Sequence, residues 1–131
     1  MTDLHPAVAA FIAAVERRDI DAVCDTLTED VRYANVPHPP VVGRDGVREL
    51  LGPFLNRCTA TRWDVVSAAV AGDTAFAERV DRFWIDGREY RIECTGVYRI
   101  EDGRIAEVRD YVDLGVWRER LGDVMKNSAT S

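Results

Sequence analysis

Three dipeptides, Gly72-Asp73, Asp86-Gly87 and Asp102-Gly103, cut the second half of the chain into four strand-length runs with period-two patterning. Asp-Gly is among the strongest short hairpin signals, because the tightest turns need positive φ at their central positions. Turns this short force each run to pair antiparallel with the next. The spacing predicts an antiparallel meander over roughly 61–71, 74–85, 88–100 and 104–113.

The first half has the other period. Val8, Phe11, Ile12 and Val15 recur at i, i+3, i+4, i+7, the stripe of an amphipathic helix. Asp3 is a candidate cap, and Pro6 is tolerated in a first turn. Ile20, Val23, Cys24 and Leu27 mark a second, shorter helix, and "VRYANV" reads as a strand stopped by "PHPP". A third helix carries Val47, Leu50, Leu51, Phe54, Leu55 and Cys58 on one stripe. Asp45 is placed to cap it, and Gly52-Pro53 is expected to kink or break it. "LGVWRERL" makes a last short helix, and the tail from about residue 124 is expected to fray. Helices first and a meander after imply an α+β domain, with helices over one face of a strongly curved sheet. At 131 residues the chain is one domain, 1–131.

Composition removes several function classes. A net charge of -6 and the lack of any Lys/Arg run argue against nucleic acid or an anionic membrane as partner. "AVAAFIAAV" is too short to span a bilayer and has no basic flank of a secretion signal. Cys24, Cys58 and Cys94, with His5 and His38, fit neither a zinc spacing nor a disulfide framework. The expectation is a cytoplasmic, reduced protein without metal or cofactor.

One strand poses a chemical problem. In "ERVDRFWIDG", Arg79 and Asp81 lie two apart and so share a face with Ala75, Ala77, Phe83 and Ile85. A two-residue turn at Asp86-Gly87 sets Ile85 opposite Arg88, Arg79 opposite Cys94 and Asp81 opposite Ile92. The inner strip of the third run is then Tyr90, Ile92, Cys94, Gly96, Tyr98 and Ile100. At Asp102-Gly103 a two-residue loop turns Ile105, Glu107, Arg109 and Tyr111 inward. A three-residue loop turns Ala106, Val108, Asp110 and Val112 inward instead, burying fewer charges. The second choice is preferred, and it places Asp110 opposite Cys94. Asp81 and Asp110 then lie on one face two strands apart, roughly 10 Å between backbones, with Arg79 long enough to reach both if the sheet curls.

A buried charge needs a partner, and one guanidinium can serve two carboxylates. Desolvation disfavours the second negative charge, so the pair holds one proton: one acid and one carboxylate near neutral pH. Such a pair can give a proton on one side of a substrate and take one on the other. A solvated Arg–Asp pair on an exposed face is the plain alternative. Tyr33 and Asn35 share a face with Val31; they are equally a core tyrosine and a turn asparagine, or two groups that fix a water.

"RYANVPHPPVVGRDGV", "ERVDRF" and "GRIAEVRDYVD" resemble the limonene-1,2-epoxide hydrolase family, within the nuclear transport factor 2-like and ketosteroid isomerase-like superfamily. The resemblance implies a cone-shaped α+β fold around a deep pocket, with a curved, mixed, mainly antiparallel sheet, and a homodimer. It implies one-step hydrolysis of a small hydrophobic epoxide to a vicinal diol, with water as co-substrate and no covalent enzyme intermediate. Carried over, Asp110 is the general base, Tyr33 and Asn35 help it hold the water, Asp81 is the general acid, and Arg79 bridges both aspartates. The family often has Trp just before the R-D pair; Val108 stands there, implying a reshaped pocket. Leu51, Phe54, Leu55, Phe83, Ile92 and Tyr98 serve equally as pocket wall or plain core. The competing readings are a ketosteroid isomerase-like enzyme, a polyketide cyclase-like enzyme that opens epoxides with a substrate hydroxyl, and a non-catalytic pocket or dimerisation module. In the last, Val66, Val70, Val80 and Trp84 would form an outer-face contact.

Overall fold

The computed structural model describes residues 4–130, without the side chains of 123 and 125–130. The chain runs α1 (Pro6–Glu16), α2 (Ile20–Asp25), β1 (Leu27–Val36), β2 (Val41–Val42), α3 (Gly43–Arg57), β3 (Ala60–Ala71), β4 (Thr74–Ile85), β5 (Arg88–Glu101), β6 (Arg104–Val112) and α4 (Leu114–Thr130).

The helices follow their apolar stripes. Val8, Phe11, Ile12 and Val15 of α1 are all buried. Asp3 lies outside the described residues, and the cap is His5, whose Nδ1 accepts from the Ala7 N–H at 3.0 Å. Asp19 caps α2 by accepting from the Ala22 N–H at 3.0 Å. At α3 the cap position is Val42, which makes no side-chain capping bond, and Asp45 sits inside the first turn, where a carboxylate favours the helix dipole. α3 also runs unbroken through Pro53. Pro53 and Glu49, one turn before it, are both exposed, so the carbonyl that proline leaves unpaired lies on the solvent side. α4 is longer than the eight residues expected. The expected fraying falls mostly on residues whose side chains are outside the description.

Six strands form one sheet in the order β2-β1-β6-β5-β4-β3. β1 runs parallel to β6 and every other pair is antiparallel, giving the mixed, mainly antiparallel sheet. The short strand β2 follows the stretch read as a stop. Asp86 and Gly87 have φ of 53° and 78°, Asp102 and Gly103 have 52° and 77°, so both are two-residue turns with positive φ throughout. The first yields the register counted from the sequence, Arg79 opposite Cys94 and Asp81 opposite Ile92.

The second corrects it. The loop has two residues, with Glu101 opposite Arg104, yet Arg99 pairs with Glu107. One extra residue therefore bulges from β6 and shifts the phase. Ala106, Val108 and Asp110 turn inward, as expected, but Asp110 faces Gly96 rather than Cys94. β3 has a matching bulge at Val66, between the pairs Val65–Arg79 and Ser67–Glu78. It turns Trp63 inward, opposite Asp81. Val70 pairs with Ala75 and so has the inner phase, not the outer one expected of it, though it is solvent-exposed.

Phe11 of α1 anchors the core. Its ring lies 6.3 Å from Tyr33, 6.0 Å from Trp63 and 6.2 Å from Tyr98. A second apolar cluster joins Phe83, Ile85, Tyr90, Ile92 and Leu121, with Phe54 and Trp117 packed against it. Among the described residues no helix is long and apolar enough to cross a membrane.

Candidate active site

The open side of the sheet holds a cavity of about 430 Å³. Its floor is the charged strip. Arg79 is fully buried and donates from Nε to Asp81 Oδ1 and from Nη2 to Asp81 Oδ2, both at 2.9 Å. Nη1 donates to Asp110 Oδ1 at 3.1 Å, and the Tyr33 hydroxyl donates to Asp110 Oδ2 at 3.2 Å. One guanidinium thus joins two carboxylates from strands two apart, a reach that the curl of the sheet permits.

The rest of the guanidinium is also partnered. Nη1 donates to the Tyr98 hydroxyl, Nη2 approaches Cys94 Sγ at 3.2 Å, and Trp63 lays its ring 4.1 Å from Cζ, within cation–π range. Two acids and one arginine sum to a single negative charge in a site where the Asp81 side chain is 12% exposed and Asp110 5%. Burial pushes the Asp81 carboxyl up, and Arg79 offsets this only in part. Burial alone would pull the Arg79 guanidinium down, but Asp110, Tyr98 and Asp81 outweigh it and hold it charged. Burial, then the Asp110 charge, keeps the Tyr33 phenol protonated well past its usual range. The arrangement sets two buried carboxyl groups on either side of one fixed cation.

Four of the five polar residues singled out from the sequence, Arg79, Asp81, Asp110 and Tyr33, are joined by hydrogen bonds. The fifth, Asn35, lines the cavity and pairs with Asp110 across the parallel β1–β6 ladder. Of the apolar candidates, Leu51, Phe54, Phe83 and Ile92 line the cavity. Leu55, Tyr98 and Val108 do not: they are packed behind it as buried core. Leu55 falls on the stripe of α3 that faces the body of the domain, and Val108 faces Tyr98 across the ladder. The hydroxyl of Tyr98 braces Arg79 from behind.

Trp63 was missed, because no inner strip was assigned to the first run of the meander, and its inward turn depends on the bulge at Val66. Leu114, Trp117 and Arg118 of α4 also line the cavity, with His38 and Leu50. Their i, i+3, i+4 spacing was legible, but nothing local says which surface that stripe covers. Among the described residues no three His, Cys, Asp or Glu side chains cluster as metal ligands.

Comparison with known proteins places this geometry among relatives. The family described as a SnoaL-like domain matches residues 8–108. Epoxide hydrolase EphG of Mycobacterium tuberculosis (strain ATCC 25618 / H37Rv) is 31% identical over 110 residues, covering 82% of this chain and 72% of that protein. A solved structure of an M. tuberculosis LEH-like epoxide hydrolase superposes with a TM-score of 0.75 at 29% identity, over 85% of this chain and 79% of the other. A candidate polyketide cyclase from Xanthomonas campestris pv. campestris superposes with a TM-score of 0.76 at 23% identity, over 88% and 93%; that likeness shows the shared fold.

Proposed function

The chain belongs to the SnoaL-like domain family, and within it we propose a cofactor-independent epoxide hydrolase that converts a hydrophobic epoxide and water to a vicinal diol in one step, without a covalent enzyme intermediate. The observation that carries this reading is Asp81 and Asp110 on the floor of an apolar cavity, joined behind it by the buried Arg79. The similarity in sequence and in structure to M. tuberculosis epoxide hydrolase supports it.

The chemistry needs two proton transfers on opposite sides of one carbon–oxygen bond. The epoxide oxygen is a poor leaving group until protonated, and water is a poor nucleophile until it loses a proton. In this reading water sits between Asn35, the Tyr33 oxygen and Asp110. As its oxygen bonds to an epoxide carbon, its proton passes to Asp110. The carbon–oxygen bond breaks, and the ring oxygen takes the proton carried by Asp81. Each Asp81 oxygen accepts one bond from Arg79 and keeps a second lone-pair site, so a proton there can face the cavity. After turnover Asp110 holds a proton and Asp81 has lost one. The charge of the site is unchanged, and Arg79 touches both acids while the proton returns. Each transfer is worth ~10²–10⁴ in rate. A homodimer is part of the proposal, with the exposed outer-face residues Val66 and Tyr111 at the contact.

The ketosteroid isomerase alternative needs a neutral acid as oxyanion donor. It also needs a tyrosine hydroxyl free to donate to that oxyanion, whereas the Tyr33 hydroxyl donates to Asp110 Oδ2, which weakens that reading. A cyclase that opens the ring with a substrate hydroxyl would use the same acid and base. Single turnover of styrene oxide and cyclohexene oxide in ¹⁸O-labelled water tests the proposal. The expected result is one label in each diol and none in the protein. Label on either aspartate would exclude the one-step route, and no diol from any hydrophobic epoxide would remove the hydrolase reading.

A further inference from the structure

The cavity differs in charge between its two ends. At its floor the Asp110 carboxylate and the Arg79 guanidinium offset one another when Asp81 holds its proton, and Arg79 is already engaged by both acids, so the floor offers no free cation. Beyond those acids, the charged or imidazole side chains among its lining residues are Arg118 and His38. Both are exposed, so they stand at the rim while the acids stand deep. The chain has 23 acidic against 17 basic residues, which makes a rim without a carboxylate a departure from its average surface.

Arg118 also differs from several other arginines of the chain. Arg120 donates to Glu93 and to the Arg91 carbonyl, Arg82 pairs with Asp64 and Glu89, and Arg57 with Asp86. Among the described residues the side chains of Arg118 and His38 have no such partner. Arg118 is held over the cavity by its own helix: it shares a stripe with Leu114 and Trp117, and the Trp117 ring packs 5.9 Å from Phe54 and 6.0 Å from Phe83 in the cavity wall.

We propose that Arg118, with His38, forms an anion-binding rim, and that the ligand class is an amphipathic carboxylate whose apolar chain enters the cavity. Resting on the hydrolase reading for its reacting end, the substrate is then an epoxide with a carboxylate at the end remote from the ring. A rim guanidinium stays hydrated, so it pairs with a carboxylate at small desolvation cost. The reverse orientation would set the ligand carboxylate beside the Asp110 carboxylate, with Arg79 already taken by both acids. The rim therefore orients the ligand with its ring toward Asp81 and Asp110, which a neutral terminus does not do.

Binding is read without chemistry by quenching of tryptophan fluorescence, since Trp63 and Trp117 line the cavity. Decanoate is expected to bind about fivefold more tightly than decanamide, the upper range for an exposed ion pair. Arg118→Gln is expected to erase that preference while leaving decanamide affinity unchanged, and Arg118→Lys to restore part of it. Equal affinities in the wild type, or a preference that survives Arg118→Gln, would overturn the rim assignment. Kinetics then separate the two proposals. Hydrolysis of 10,11-epoxyundecanoate is expected to exceed that of its methyl ester in kcat/KM, with the ratio falling to about one in Arg118→Gln. Ester turnover with no carboxylate preference overturns the inference and leaves the hydrolase reading standing. Decanoate preference with no turnover of either epoxide supports the rim and removes the hydrolase reading.

Discussion

Asp110 faces Gly96 across the β5–β6 ladder, so the carboxylate stands opposite a position with no side chain. Arg79 and Tyr98 occupy the space that a side chain there would need. A Cβ on Gly96 would lie 2.7 Å from Arg79 Nη1 and closer still to the Tyr98 hydroxyl. The missing side chain is what lets one guanidinium on β4 reach a carboxylate on β6.

Gly96→Ala is therefore expected to misplace Arg79. Overpacking costs about 1–3 kcal/mol, reduced by the roughly 0.5–1 kcal/mol that glycine itself loses in a strand. Turnover should fall by about 10², the usual consequence of a shift near 1 Å. Adding Tyr98→Phe removes one clash, so the double variant should be more stable than the sum of the single effects. Thermal melts and epoxide kinetics on the three proteins check this.

Asp81 gives a pH dependence whose sign is determined. Its carboxyl is raised in the folded protein by burial, so the protonated, acid-competent form persists above the usual carboxylate range. Activity should be lost as pH rises through that folded value. The stability associated with the raised group is full below the unfolded value, about 3.9, and is lost as pH rises through the folded one. Asp81→Asn mimics the protonated form. Its stability relative to wild type should improve as pH rises across that window, while its turnover falls by about 10²–10⁴. Melting temperatures and kcat/KM against pH, on both proteins, test the sign.

Arg79→Lys keeps the charge and loses the fork. An ammonium cannot span Asp81 bidentately and still reach Asp110. The buried carboxylates are left under-paired, at a cost of about 3–5 kcal/mol, and diol formation should fall below detection. Urea denaturation measures the first effect. A stability within 1 kcal/mol of wild type would mean, on the same scale, that the acids do not depend on the guanidinium.

Trp63 is expected to act through Arg79. Its ring lies over the guanidinium, and its backbone N–H donates to Glu16 Oε2 at 2.9 Å, which ties the strand to the end of α1. Trp63→Leu removes the π face, worth about 2 kcal/mol when desolvated, and should lower kcat more than it changes KM. Trp63→Phe, which keeps a smaller face, should recover part of kcat. Equal losses in the two variants would assign Trp63 to packing alone.

Much of the site was legible because strands and turns are local. Two Asp-Gly turns with both φ values positive, and the period-two strip from Ala75 to Ile85, were enough to pair Arg79 with Cys94 and Asp81 with Ile92. The aspartates and the arginine stood out because ionic groups on an apolar strip need partners. The bulges at Val66 and in β6 left no such mark. Each adds one residue and reverses which side chains face in, and each is set by what the strand packs against rather than by its own residues. Asp110 was placed inward for the right reason, the cost of burying Glu107 and Arg109, but two residues out of step along β5.

The sequence by itself determined the helix stripes, the meander, the turn positions and the identity of the charged trio, because hydrophobic period and turn chemistry act over a few residues. Only the tertiary structure decided that Asp110 meets Gly96, that Trp63 turns in beneath Arg79, that Leu55, Tyr98 and Val108 lie behind the cavity, and that α4 brings Trp117 and Arg118 to its mouth. Those outcomes depend on strand curvature and on helices docking from distant parts of the chain, where side chains compete for one shared volume and no local pattern records which of them prevails.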